Sequence, residues 1–230
     1  MPMMVRARRF STLATTLAIV VACTNARCAH AQRKGGKQDT SYGEVIITEI
    51  SYEQASPEDA LVTEIAGSDD WVELYNPSKT LTVNLTGFAL TDLTARKLKK
   101  ARPEKVAKHL FVLPENTVIA PKSFAVIARD EMAFREAYAE REVAIGALVR
   151  GSFRFGLSAK GETIRILDRS NATVFELKYD DKGTWPNTRE AGHSLELVDV
   201  RQDPNDSYSW IASSENGGTP GEVNSVAVSW

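Results

Sequence analysis

The sequence predicts an all-β protein, a β-sandwich with one short inserted helix. Short β-rich runs recur from residue 43 onward and are separated by turn residues, which is the pattern of all-β domains. In residues 162–168, Ile164 and Ile166 fall on one face and Arg165 falls on the other. Strands with one dry face and one wet face require two sheets that pack dry face to dry face.

Two later segments show the same alternation. Residues 173–179 place two aromatic residues and Leu177 on one face and charged residues on the other. In residues 194–198, Glu196 alternates with two leucines and is expected on the wet face. Both segments are therefore predicted to be strands with one buried face.

One helix is predicted within this β framework. Asp130 is a suitable N-cap for residues 131–141, and Phe134 and Tyr138 lie four residues apart on one helical face. We expect this helix to be an excursion between two strands.

Composition is that of an ordinary globular protein, with 43% hydrophobic and 25% charged residues in a chain of 230. The net charge is −2, and the first 31 residues contain four arginines and no acid. Without that segment, 24 basic and 30 acidic side chains remain, a net charge of −6. A mildly acidic protein is not a natural general DNA binder, because phosphate neutralisation dominates such affinity.

The N-terminus has the pattern of an export signal. Three arginines (Arg6, Arg8 and Arg9) precede an uncharged run at residues 10–22, which is too short to span a bilayer comfortably. A small-x-small cleavage site follows and ends at Ala31. The segment 1–31 is predicted to be a signal peptide, and a buried N-terminal helix is the alternative.

Both cysteines precede the predicted cleavage site. Cleavage after Ala31 would remove Cys23 and Cys28 and leave a chain without thiols. Residues 20–23 also resemble a bacterial lipobox, so lipidation at Cys23 is a second possibility, with a firm membrane anchor as its consequence. The absence of the usual leucine at Val20 favours soluble export, whereas the long distance from the apolar run to Ala31 favours lipidation.

Two further regions follow the signal segment. Residues 32–42 are polar and rich in lysine and glycine, so they are predicted to be a flexible linker. Residues 43–230 are predicted to form the folded domain. Export and this organisation together predict a secreted, periplasmic or cell-surface protein.

An ordered series of motifs carries a family resemblance. The run Asp-Trp-Val-Glu-Leu-Tyr-Asn-Pro at residues 70–77 follows a strand-like segment ending at Ile50 and precedes residues 83–92. Ser-Leu-Glu-Leu, a tryptophan and Gly-Thr-Pro-Gly come far downstream, at residues 194–221. Together they resemble the lamin tail domain family over roughly residues 43–224. One departure is Thr48, which stands where the family typically has asparagine.

The resemblance implies an immunoglobulin-like β-sandwich that acts in recognition and not as an enzyme. It also implies an exported, microbial-type member, because a signal segment precedes the domain and there is no rod and no prenylation box. Three tryptophans among the strands (Trp71, Trp185 and Trp210) are predicted to be core anchors. Val226, Val228 and Trp230 alternate, which predicts a last strand at the C-terminus.

Catalytic chemistry is poorly supported by the sequence. His109 and His193 are the only histidines after residue 31, and there is no nucleophile elbow. Glu49, Glu73 and Asp92 lie in the family-like motifs at strands or strand ends. If they converge, they are candidates for a calcium site. The alternative is that these carboxylates accept hydrogen bonds that fix strand ends. We therefore predict no enzyme activity and no cofactor, with calcium as the alternative.

Two segments predicted to be loops carry opposite charge. Residues 53–70 contain six acids and no base, a charge of −6, and residues 95–109 carry +6. The basic segment is the predicted binding surface, with the residues Arg96, Lys97, Lys99, Lys100, Arg102, Lys105 and Lys108. Such a cluster suits DNA, an acidic glycan or a phosphate-bearing polymer, but its lack of aromatic residues disfavours single-stranded nucleic acid. The alternative is a solvated loop, or one paired with the acidic segment.

The predicted function is an exported, non-catalytic binding or scaffolding module that contacts a protein or a polyanionic polymer at the cell envelope. Nucleic acid is a possible but not a favoured partner, and membrane contact is expected only through a lipid anchor. One alternative is a calcium-dependent hydrolase, or an accessory domain of a secreted hydrolase, that uses Glu49, Glu73 and Asp92. The other is a purely structural envelope protein.

Overall fold

The computed structural model describes residues 45–52, 70–188, 192–228 and 230. All of them lie within one compact unit, Lys34–Trp230. The predicted signal peptide (1–31), Cys23 and the linker (32–42) lie outside the described residues, as do Gly43 and residues 53–69 of the acidic segment.

The described residues form short strands and four short α-helices. The strands are β1 (Ile46–Ser51), β2 (Trp71–Tyr75), β3 (Val83–Asn84), β4 (Ala89–Thr91), β5 (Leu110–Val112), β6 (Val118–Ile119), β7 (Phe124–Ala128), β8 (Gly161–Leu167), β9 (Thr173–Asp180), β10 (Leu195–Leu197) and β11 (Trp210–Ala212). The helices are α1 (Ala95–Lys100), α2 (Pro103–Lys108), α3 (Glu131–Ala137) and α4 (Glu142–Ala147). None of these helices is long and apolar enough to cross a membrane, as far as the described residues go.

Two large antiparallel sheets and one small two-stranded sheet make up the fold. One sheet has the strand order β11–β10–β1–β2–β7 and the other has the order β5–β4–β8–β9, while β3 pairs with β6. Apolar residues of both large sheets form one buried cluster, which includes Ile50, Leu74, Ile164 and Leu177. The predicted immunoglobulin-like β-sandwich is confirmed.

The five-stranded sheet is buried on both faces, unlike the predicted strands with one wet face. Val72 and Leu74 of β2 face the sandwich core, whereas Trp71 belongs to a second apolar cluster on the outer face. That cluster includes Phe134 and Tyr138, at α3 and its C-cap, together with residues of α4 and the segment after it. Since the outer face is covered, every residue of β1 and β2 is buried.

The predicted helix is present and is shorter than expected. Asp130 caps α3, because its Oδ1 accepts hydrogen bonds from Met132 N at 2.9 Å and Ala133 N at 3.0 Å. Phe134 and Tyr138 are both buried, but the helix ends at Ala137 and a separate α4 follows. Two more helices, α1 and α2, replace the predicted basic loop.

The C-terminus is not the predicted strand. Residues 213–228 and 230, called here the C-terminal strap, contain turns and bends but no strand among the residues described. Trp230 packs on Tyr75 and Phe124, with ring centroids 4.9 and 5.8 Å apart. The alternation near the end does not correspond to a buried face, because Val228 is 71% exposed while Trp230 packs on aromatic rings.

Asn76 belongs to the run at residues 70–77 and immediately follows β2, whose end it holds in place. Its Nδ2 donates to three carbonyl oxygens, those of Leu81 at 2.8 Å, Ile119 at 3.0 Å and Ala120 at 3.0 Å. Its Oδ1 accepts from Ser78 N at 3.0 Å. These hydrogen bonds of the buried amide hold the end of β2 next to the two-stranded sheet of β3 and β6.

Candidate functional site

A helical insertion projects between two neighbouring strands. Helices α1 and α2 connect β4 to β5, and we call residues 95–108 the cationic hairpin. Thr94 caps α1, because its Oγ1 accepts from Lys97 N at 3.3 Å, and Pro103 occupies the first turn of α2. Ala101 has an extended backbone and separates the two helices. Thr94 and Pro103 thus stabilise the first turns of the two helices, although the segment has no apolar stripe.

All seven cationic side chains of the hairpin are exposed, and neither helix buries a residue. Among the described residues, none of these seven side chains forms an ion pair. The only acid in the hairpin, Glu104, is exposed as well. The sequence-predicted binding residues are therefore brought together on one projecting element, where their charges face solvent.

The base of the hairpin is held by side-chain contacts. His109 Nδ1 lies 2.7 Å from Asp92 Oδ2, so the residues just before and just after the helical segment are joined. Thr91 Oγ1 donates a hydrogen bond to His109 O. The His109 ring stacks on Phe155 with centroids 6.2 Å apart. These contacts anchor both ends of the hairpin to the four-stranded sheet.

The structure separates the three carboxylates proposed as calcium ligands. Asp92 follows β4 in the four-stranded sheet and pairs with His109. Glu49 and Glu73 lie on adjacent strands of the other sheet, where Glu196 joins them. Among the described residues, no group of three or more histidine, cysteine, aspartate or glutamate side chains is placed to hold a metal ion.

Glu49, Glu73 and Glu196, called here the glutamate trio, are fully buried on the outer face of β1, β2 and β10. Glu49 Oε1 accepts from Ser194 Oγ and from Thr219 N, the latter at 2.9 Å. Glu73 accepts from Thr48 Oγ1 at 2.7 Å. These carboxyls thus have the hydrogen-bonding role that was the alternative to calcium.

Burial raises the pKa of every member of the trio. The pKa of Glu49 rises from 4.5 to about 8, first through burial and then through the negative charge of Glu196. Burial, followed by the charge of Glu49, raises the pKa of Glu73 well above its ordinary value. Burial also raises the pKa of Glu196. Glu49 and Glu73 were predicted to converge, whereas Glu196 was not included because the alternation in residues 194–198 placed it on a wet face.

A further carboxyl with a raised pKa, that of the partly buried Glu162, lies in the four-stranded sheet. Burial raises the pKa of Glu162 to about 7, although Ser158 N donates to its Oε1 at 2.7 Å and opposes the rise. The charges of Asp92 and Asp70 raise this pKa further. Tyr179 OH donates to the same oxygen at 3.2 Å, so the carboxyl is held in place by neighbours.

One pocket among the described residues is smaller than a typical ligand site. This pocket of about 190 Å³ is lined by Tyr52, Ala159, Asp181, Pro186 and Asn187. Ligand sites are usually about 300 to 1,000 Å³. The exposed cationic hairpin is therefore the stronger candidate for a functional site.

Comparison with known proteins agrees with the fold. The sequence model of the Lamin Tail Domain family matches residues 38–211, about three quarters of the chain. No curated protein matches the sequence. The family is one of immunoglobulin-like structural or binding domains that are not typically enzymes. The chain therefore belongs to the lamin tail domain family.

Proposed function

We propose that this protein is an exported, non-catalytic binding module whose cationic hairpin binds a linear polyanion at the cell envelope. The proposal rests on the cationic hairpin, whose seven basic side chains are exposed. None of them forms an ion pair with another described residue. Phosphate-bearing and carboxylate-bearing polymers share the chemistry that such a surface recognises.

The seven charges are close enough to act as one patch. A helix of six residues is about 9 Å long, which is comparable with the Debye length of about 8 Å at physiological salt. The potentials of neighbouring cations therefore overlap before salt screens them. A polymer with regularly spaced negative charges gains from several of these cations at once, whereas a single small anion does not.

The rest of the protein directs a polyanion towards the hairpin. Residues 32–230 carry a net charge of −6, and the hairpin contributes +6 to that balance, so the remaining residues carry −12. Negative charge elsewhere repels a polyanion and leaves one attractive surface. The hairpin contains no aromatic residue, so binding through charge and without base stacking is expected.

The polyanion proposal is tested by titration of the purified chain against duplex DNA and acidic polysaccharides. Fluorescence anisotropy at low and physiological salt should show binding that weakens as salt rises. Replacement of Lys97, Lys99, Lys100 and Lys105 by alanine should weaken binding by at least about tenfold at low salt and reduce the salt dependence. Alanine favours helix, so the shape of the hairpin should persist.

A matched control removes four exposed lysines elsewhere, with the substitutions Lys79→Ala, Lys160→Ala, Lys178→Ala and Lys182→Ala. This variant has the same net charge as the hairpin variant and should bind nearly as well as the unmodified chain. Equal weakening in both variants would mean that net charge, and not the hairpin, controls affinity. No binding by the unmodified chain would reject a polyanion partner and leave a protein partner as the remaining option.

The export part of the proposal rests on the charge and hydropathy pattern of residues 1–31. Intact-mass measurement of the chain recovered from an exporting bacterium should give a mature protein that begins at Gln32. A lipid-modified N-terminus at Cys23 would instead support the anchored form. An uncleaved chain that begins at Met1 and stays in the cytosol would contradict export.

A further inference from the structure

The C-terminal strap is fastened to the glutamate trio by its backbone. Three strap amides donate to trio carboxyl oxygens, Thr219 N at 2.9 Å, Gly221 N at 2.7 Å and Val226 N at 3.1 Å. Each of these amides reaches a different member of the trio, on a different strand. The strap therefore lies across β2, β1 and β10 and uses buried carboxyls as its anchor points.

Strap side chains add to this attachment. Ser225 Oγ donates to Glu196 Oε2 at 2.8 Å. Asn224 Nδ2 donates to two strand carbonyls, Thr48 O at 2.8 Å and Leu197 O at 2.9 Å. Because these bonds span residues 219–226, the middle of the strap depends more on the trio than on apolar packing.

Thr219 lies between two trio carboxyls, a geometry in which a protonated trio can form one more hydrogen bond than a fully ionised trio. Thr219 Oγ1 lies 2.8 Å from Glu196 Oε1 and 3.4 Å from Glu49 Oε2. A hydroxyl has one hydrogen, so it donates to one of these oxygens. The other contact is a hydrogen bond only if that carboxyl is protonated and donates to the threonine oxygen. The closed strap is therefore matched to a trio that retains at least one proton.

No cation compensates the trio. Among the described residues, no basic side chain donates to a trio carboxyl, and the neighbouring strands β7 and β11 contain no charged residue. The strap itself brings Glu215 and Glu222, and the charge of Glu215 raises the pKa of Glu196. The nearby helices and turn contribute Glu142, His193 and Arg141. Arg141 donates to the strap carbonyl of Gly218 at 2.6 Å and lies 3.8 Å from Glu215.

We propose that the strap is a pH-sensitive latch, closed while the glutamate trio holds a proton and released when the trio becomes fully ionised. Ionisation would put like charges side by side on adjacent strands without a counterion, which is unfavourable in a buried site. Opening of the strap admits water to the carboxylates and removes this cost. The pKa of Glu49 is raised to about 8 and the pKa of Glu73 is raised well above its ordinary value, so the trio becomes fully ionised only in the alkaline range.

Gly218 shows that the strap fits closely over the trio. It has a φ of +73°, and a Cβ at this position would overlap Glu49 Oε1 and crowd Ser194 Oγ. The run Gly-Thr-Pro-Gly at residues 218–221, which carries part of the family resemblance, is also the part of the strap that contacts Glu49 and Glu73.

Hydrogen exchange of the full chain tests the latch. After correction for base-catalysed intrinsic exchange, the opening constant of the strap amides should rise about tenfold per pH unit for each proton released. This rise should appear between pH 6 and pH 9. Amides of the β8–β9 ladder should remain more protected at every pH, because they open only through larger unfolding. Strap amides that exchange only together with that ladder would overturn the proposal.

Neutral variants separate the latch from general alkaline destabilisation. The triple variant with Glu49→Gln, Glu73→Gln and Glu196→Gln should show strap protection that no longer depends on pH, since its side chains cannot ionise. Glu222→Gln changes an exposed carboxyl on the strap and should keep the pH dependence of the unmodified chain. A triple variant that folds and retains the pH dependence would overturn the latch.

Infrared spectroscopy of the unmodified chain provides a test that does not rely on a folded triple variant. The same spectrum of Glu162→Gln identifies the contribution of the other carboxyl with a raised pKa. The remaining band of protonated carboxyl groups should persist at neutral pH and disappear over the pH range in which the strap amides lose protection. A spectrum without protonated carboxyls at pH 6 would contradict the proposal. A band that disappears without any loss of strap protection would do so equally.

Discussion

Replacement of Trp71 by alanine should lower the free energy of unfolding by about 3 to 5 kcal/mol. Trp71 is fully buried and forms the centre of the outer apolar cluster, edge-on to Phe134 and Tyr138 with centroids 6.2 and 6.3 Å away. Its Nε1 donates to Tyr138 OH at 3.2 Å, and that hydroxyl donates to Gly217 O at 2.6 Å. Loss of the indole therefore affects α3 and the strap as well as β2.

Urea unfolding followed by far-ultraviolet circular dichroism measures the effect of this substitution. Trp71→Phe keeps most of the buried area and should cost less, because the main specific loss is one hydrogen bond. Trp185→Ala is the tryptophan control, since Trp185 is only partly buried and packs at the edge of the main core. Equal losses at Trp71 and Trp185 would contradict the assignment of Trp71 as the anchor of the outer cluster.

The apolar face of the four-stranded sheet was predictable, because its apolar residues alternate along β8 and β9. Ile164 and Ile166 are fully buried in β8, and Phe175, Leu177 and Tyr179 are buried in β9 as the alternation indicates. Of the three predicted tryptophan anchors, Trp71 and Trp210 are buried, whereas Trp185 is partly exposed. Arg165 is the exception, because it was predicted on the wet face but is only 2% exposed, and its side chain donates to Leu93 O at 3.1 Å and pairs with Glu176. The alternation therefore located the apolar face of β8 but did not reveal that the opposite face is buried at Arg165.

The five-stranded sheet was harder to predict, because its second cover comes from distant parts of the chain. Glu196 alternates with leucines like a surface residue, yet its exposure is 0%. Its cover is the C-terminal strap, whose irregular backbone has no periodic signal. Only the three-dimensional path of the strap shows that polar residues on this face are buried and need hydrogen-bond partners.

The proposed binding surface is apparent in the sequence from its charge, whereas its helical backbone is not. Residues 95–108 have no apolar stripe, so periodicity did not indicate helices. Thr94 and Pro103 were the available signals, as a cap and as a first-turn residue. The grouping of Asp92 with Glu49 and Glu73 came from neighbouring motifs in sequence, which do not reveal that Asp92 belongs to the other sheet.

The stability of this protein should fall as pH rises from about 5 to 9. A carboxyl whose pKa is higher in the folded state binds more protons when folded, so its contribution is fully present below its ordinary pKa. That contribution is lost as pH rises through the folded pKa, about 7 for Glu162 and about 8 for Glu49. Hydrogen bonds lower the pKa of two other carboxyls, that of Glu131 through Gly151 N and that of Asp199 through the Arg201 side chain. Their contribution to stability is therefore present at neutral pH and lost at acid pH. Their effect is small, because both carboxyls are screened by solvent.

The urea midpoint, measured at pH 5, 6, 7, 8 and 9, should therefore decrease steadily above pH 6. Each pKa unit corresponds to about 1.4 kcal/mol, so the combined loss should amount to several kcal/mol. Glu162→Gln should remove the part of the decrease near pH 7, and Glu49→Gln should remove the part near pH 8. A midpoint that stays constant or rises between pH 6 and pH 9 would mean that these buried carboxyls are already ionised in the folded protein. In that case the hydrogen bonds from Thr219, Gly221 and Ser158 would outweigh burial, and the closed strap would be compatible with a charged trio.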